Sequence, residues 1–149
     1  MIDLDEEQSA AVLERGWVAH LGCISNGEVY VTPLSYVVLD GVVYSRTMPG
    51  RRTRALQENP DVCLEVSIVL DPGWESVVLW GRTEFVDDLG IRERVVEALL
   101  AKYHSNESLT APPRARGPIS PVVLAIHPER MEGRAAGGGL TPSTRPGRL

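Results

Sequence analysis

Two short turns govern what this chain can become. Asn26-Gly27 and Asp40-Gly41 each stand between runs rich in Val, Leu and Tyr. Both pairs favour positive φ at two consecutive positions, the requirement of a tight turn between antiparallel strands. Residues 17–25 therefore read as a strand, 28–39 as its return and 42–45 as a third, making an antiparallel meander. Pro33 interrupts the second of these; lacking an N–H, it belongs at an edge, a bulge or a strand end.

The rest of the chain supplies flanking helices and three further strands. Asp3 or Asp5 caps a first helix that ends near Arg15, with Gly16 just past it. Gly50 opens a short helix over 51–57, which Asn59-Pro60 terminates because a residue before proline avoids helical geometry. Strands follow over 61–70 and 74–86, separated by Asp71-Pro72-Gly73. Along the second, Val77, Leu79 and Gly81 share one face, and Ser76, Val78, Trp80 and Arg82 the other. Asp87-Asp88 starts a helix in which Val95, Leu99 and Tyr103 recur at i, i+4 and i+8. Residues 104–120 are rich in turn formers and read as a loop, and 121–127 as the last strand. The tail from 135 to 149 has almost nothing apolar to bury and is expected to be mobile. Strands separated by hairpins, with helices outside, give a mainly β member of the α+β class: six antiparallel strands in a small barrel, one domain over 1–134.

Charge narrows the partners. The 149 residues carry a net charge of −5, which argues against nonspecific attraction to nucleic acid or to an anionic membrane. The acidic start of the chain is unlike a signal peptide, and no apolar run approaches the length of a membrane span, so a cytoplasmic protein is expected. Cys23 and Cys63 sit in apolar runs without metal-ligand spacing and read as buried free thiols. His20, His104 and His127 are scattered, and no metal site is expected.

Within this acidic chain residues 46–54 hold four Arg and no acid. Arg51 and Arg52 stand at the start of the short helix, where free backbone N–H groups and guanidinium forks suit a phosphate monoester. On residues alone, this is either a phosphate site or a solvated basic turn.

The order of strand hairpin, Gly50-Arg51-Arg52 turn, helix and strand, followed by Glu75-Ser76-Val77-Val78, resembles the FMN-binding split-barrel proteins of the pyridoxamine 5′-phosphate oxidase superfamily. Within it the chain is most similar to the nitroimidazole-resistance (Nim-like) branch. The closing segment, Pro128 through Gly133-Arg134, is similar too, and the resemblance covers about residues 13–134. It implies a six-stranded split barrel that binds FMN in clefts shared by a homodimer. It implies that Gly50, Arg51 and Arg52 meet the phosphate, that Thr32, Pro33, Leu34 and Ser35 run beside the flavin, and that Ser45, Arg46 and Thr47 lie near the pyrimidine edge or the phosphate. Ser76 and Val77 are implied at the ring and the dimer interface. Nim-like proteins often carry a His near the Ser45-Arg46-Thr47 position; Arg46 cannot donate a proton near neutral pH, which sets this chain apart from nitroreduction. The glycine-rich tail has no match to the Arg-containing segment that binds substrate in true pyridoxamine-phosphate oxidases. The implied function is a flavin-dependent oxidoreductase of a small molecule. Its rival on the same fold is a non-catalytic carrier or sensor of flavin or haem.

Overall fold

The computed structural model describes residues 1–104 and 120–137. In chain order the elements are β1 (Ile2–Leu4), α1 (Glu6–Arg15), β2 (Ala19–Ser25), β3 (Glu28–Leu34), β4 (Val37–Leu39), β5 (Val42–Thr47), α2 (Arg51–Glu58), β6 (Asp61–Val69), β7 (Trp74–Phe85), α3 (Leu89–Tyr103) and β8 (Val122–Ala136). All strands join one antiparallel sheet in the order β3-β2-β6-β7-β8-β5-β4, with β1 added to β8. The α+β, mainly β class is as expected. Among the described residues the strand count is eight rather than six, and the sheet is an open path whose ends are β3 and β4.

Two local causes account for the difference. Ile2–Leu4, expected to lead into the helix, instead pairs with Gly133–Ala135. The helix then begins at Asp5, whose side chain accepts from Gln8 N at 2.8 Å while Gln8 Oε1 accepts from Asp5 N at 3.0 Å. The run 28–39 breaks at Ser35-Tyr36 because Tyr36 spends its backbone on α3: its N–H donates to Tyr103 Oη at 3.0 Å and its carbonyl accepts from Lys102 Nζ at 2.9 Å. Both hairpin turns form as the sequence requires, with φ of 51° and 77° at Asn26-Gly27 and again at Asp40-Gly41. Pro33 lies on β3, an end strand of the path.

The last strand extends well past His127. It continues through Pro128 by a bulge opposite Trp80 and Gly81, since proline cannot donate to the ladder. Gly81 is needed there: a Cβ would stand 2.3 Å from the His127 carbonyl oxygen. Residues 135 and 136 complete β8. The expected loop over 105–119 and the tail from 138 onward lie outside the described residues.

Alternation sorts the sheet into two faces. Leu21, Leu64, Val66, Val77 and Leu79 are fully buried and form the main core with Leu124, Ile126 and Tyr36. Val95, Leu99 and Tyr103 of α3 close a second core against Val123 and Ala125. Cys23 and Cys63 are free, Cys23 buried and Cys63 half-buried, and burial raises both thiol pKa values.

Lys102 is held in an aromatic setting at the α3 end, 3.8 Å from the centroid of Tyr36 and 5.2 Å from that of Tyr103. Burial pulls its pKa from 10.5 to about 8. The unfolded chain keeps this proton up to about pH 10, whereas the folded chain gives it up above about pH 8. In that window the unfolded state binds more protons, so stability rises with pH. The urea midpoint should increase between about pH 7.5 and about pH 9.5, and the increase should vanish in Lys102→Met. The ring faces favour the ammonium form and act against burial; a flat wild-type profile would show that they cancel it.

Candidate functional site

Where α2 begins, Arg52 bridges β3, one end of the sheet path, and β5, the strand next to the other end, and fills the seam between them. Its Nη1 donates to Thr32 Oγ1 at 2.7 Å and to the Pro33 carbonyl at 3.1 Å, both on β3. Its Nη2 donates to Thr47 Oγ1 at 2.7 Å, at the end of β5. All three acceptors are neutral, so the positive charge is fixed in place without being cancelled by them. The Nε atom is buried with no hydrogen-bond partner among the described residues. Burial pulls the guanidinium pKa down, while Tyr30 and Cys23 push it the other way. A half-buried cation with an unused donor suits an anion.

Arg51 is more exposed and lies along the outer side of the same turn. Its Nε donates to Ser25 Oγ at 3.0 Å, its guanidinium stands 4.2 Å from the Tyr30 ring centroid, and Glu28 lies 3.7 Å away. The turn between them is pinned by Thr53, whose hydroxyl accepts from Gly50 N at 2.8 Å and donates to Gly50 O at 2.9 Å. The first intrahelical bond runs from Arg54 N to Gly50 O. The amides of Arg51, Arg52 and Thr53 thus precede the helical ladder and face the positive end of the helix dipole.

The remaining residues expected at the site fall into three groups. Ser35 and Ser45 tie β4's entry to β5, with Ser45 Oγ donating to the Ser35 carbonyl at 2.7 Å; with Thr32, Pro33, Thr47, Gly50, Arg51 and Arg52 they make one contiguous seam. Arg46 leaves β5 on the opposite face from Ser45 and Thr47, by strand alternation. There burial, and secondarily the charge of Arg92 on α3, lower its pKa. Leu34 and Val77 are core residues, 4% and 0% exposed. Ser76 is on the outer sheet face, donating to Glu65 Oε2 at 2.8 Å. The fold therefore separates Arg46, Val77 and Ser76 from the seam within this chain.

Sequence reasoning missed Ser25, Tyr30 and Thr53. The hairpin register carried part of the signal: a two-residue turn at Asn26-Gly27 sets Cys23 opposite Tyr30 and Ser25 opposite Glu28. Thr53 was legible as a hydroxyl three residues after Gly50, in capping position.

The profile of the pyridoxamine 5′-phosphate oxidase family matches residues 5–135. Among solved structures, an FAD-binding protein of Mesorhizobium loti is 30% identical, with a TM-score of 0.78, the alignment covering 91% of this chain and 98% of that one. A flavocytochrome of Azotobacter vinelandii is 25% identical, with a TM-score of 0.71 and coverage of 90% and 68%. A candidate 5-nitroimidazole antibiotic resistance protein of Bacteroides thetaiotaomicron, 18% identical with a TM-score of 0.71 and coverage of 90% and 86%, shares the fold. The profile match extends from the cap of α1 to the end of β8, so the chain belongs to the pyridoxamine 5′-phosphate oxidase family.

Proposed function

We propose that this protein binds FMN, with the phosphate at the first turn of α2, and acts as a cytoplasmic flavin-dependent oxidoreductase of a small molecule. The observation that carries the reading is Arg52, a half-buried cation fixed by neutral acceptors and left with a buried, unused Nε donor. A phosphate monoester fits that donor set, together with Arg51 and the free amides of the turn. Thr32 and Thr47 would stand with Arg52 beside the phosphate, and Pro33 and the Ser35–Ser45 pair would back the flavin further along the seam. Bound flavin would supply the electron-transfer chemistry, and the chain its orientation and charge. The flavin-binding relatives of similar fold support this reading.

The test is the absorption spectrum of the purified protein, followed by release and identification of the chromophore. FMN is expected. FAD would move the phosphate contact to a pyrophosphate, a haem spectrum would favour the carrier reading, and a colourless protein that takes up no flavin would overturn the proposal. Bound flavin that NADPH, NADH and a deazaflavin all fail to reduce would make the protein a carrier.

The same reading includes a homodimer. β3 is an end strand, and Val29 and Val31 on it are 77% and 59% exposed. Along the same outer face, Val69 is 85% exposed and Trp74 37%. An apolar sheet face beside an open edge needs cover. Sedimentation velocity should give a dimer, with Val31→Lys shifting it toward monomer and releasing flavin in parallel. A wild-type monomer with flavin fully bound would contradict a shared cleft.

A further inference from the structure

The side of β3 that meets the basic turn carries three residues in file. Strand alternation sets Glu28, Tyr30 and Thr32 on one face of the strand, and each meets an arginine of the turn. Thr32 Oγ1 accepts from Arg52 at 2.7 Å, the Tyr30 ring centroid lies 4.2 Å from the Arg51 guanidinium, and the Glu28 carboxylate is 3.7 Å from Arg51 Nη2. Ser25, paired with Glu28 across the Asn26-Gly27 turn, accepts from Arg51 Nε at 3.0 Å. The two arginines are therefore held differently. Arg52 is fixed by neutral oxygens, whereas Arg51 is drawn toward the hairpin by a hydroxyl, a ring face and a carboxylate.

The file has a direction. From Thr32 the seam runs through Pro33 to the Ser35–Ser45 contact, the way the flavin lies in the reading above. The opposite way leads past Tyr30 to Glu28, the end of β3 at the hairpin turn. A flavin whose ring lies toward Ser35 points the far side of its phosphate this way, next to Arg51. In a flavin dinucleotide the group attached there is a second phosphate. It meets the carboxylate of Glu28, like charge against like charge. The guanidinium that could neutralise it is already engaged by Glu28, Tyr30 and Ser25. A terminal phosphate stops short of both obstacles.

We propose that Glu28, by its own charge and by its hold on Arg51, makes this a site for a terminal phosphate and selects FMN over FAD. The inference rests on the flavin reading above and adds the residue that limits what the phosphate can carry. Glu28 is a specificity determinant and is not needed to hold FMN. Both Glu28 and Arg51 reach solvent, so the discrimination is electrostatic and weakens as salt is added.

The experiment is calorimetric titration of the full-length apoprotein with FMN and with FAD, in the wild type and in Glu28→Gln. At low salt the wild type should prefer FMN by about tenfold or more, and the preference should shrink between about 0.05 and about 0.5 M salt. Glu28→Gln should tighten FAD about tenfold, because Arg51 becomes free to make a charge-assisted contact with the second phosphate. FMN affinity in that variant should stay within about twofold of wild type. A wild type that takes FAD as tightly as FMN, or a preference that Glu28→Gln and salt both leave unchanged, overturns the role of Glu28 alone and leaves the FMN site standing. A wild type that binds neither flavin overturns the flavin reading and this inference with it.

Discussion

Arg52→Glu is expected to weaken FMN binding by about 100-fold or more. Charge-assisted hydrogen bonds are each worth roughly 1.5–3 kcal/mol, and about 2.7 kcal/mol is a factor of about 100. The substitution removes such contacts and sets a negative charge against the phosphate. It also frees Thr32, Thr47 and the Pro33 carbonyl, so the seam loses its brace. Two controls separate these effects. Arg52→Lys keeps the charge without the fork and should fall between wild type and Arg52→Glu, because a guanidinium reaches three acceptors that one ammonium cannot reach in the same geometry. Arg54→Glu adds a like charge on the exposed side of the same helix and should change affinity only a few-fold. Fluorescence titration of FMN reads all three.

Tyr36→Ala should be the most damaging single truncation in the core, costing about 3–5 kcal/mol. Tyr36 is the largest of the fully buried side chains. Its hydroxyl donates to the Leu13 carbonyl of α1, and its backbone is held by Tyr103 and Lys102 of α3. The truncation opens a cavity where α1, β4 and α3 meet, and it strands the Leu13 carbonyl. Tyr36→Phe keeps the ring and should cost only about 1–3 kcal/mol, the penalty of the unpaired carbonyl. Equilibrium urea unfolding measures both. Equal losses for the two variants would place the whole contribution in the hydroxyl.

Much of this architecture was legible because it rests on local chemistry. Asn26-Gly27 and Asp40-Gly41 fix their turns through positive φ, and Asp88 and Gly16 mark helix ends by capping. The inward face of β7 followed from alternation alone, with Val77, Leu79 and Gly81 all buried. What was not legible depended on distant partners. Nothing near residue 36 announces that Tyr103 and Lys102, more than sixty residues on, will take its backbone and split a strand in two. β1 likewise exists because Gly133–Ala135 offers it an edge. At the site, the basic turn was visible as composition, but its brace of hydroxyls from β3 and β5 required knowing that these two strands, separated by four others in the sheet, are bridged there by Arg52. Alternation then explains why Arg46 parts from its neighbours Ser45 and Thr47, although the three are consecutive in sequence.

The most direct measurement of the central claim is a paired titration of the apoprotein with FMN and with riboflavin. The two ligands share the ring and ribityl chain and differ in the phosphate alone. If the start of α2 is an anion site, FMN should bind at least about 100-fold more tightly than riboflavin, the worth of roughly two charge-assisted contacts. That preference should disappear in Arg52→Glu. Equal affinity of the wild type for FMN and riboflavin would contradict the account.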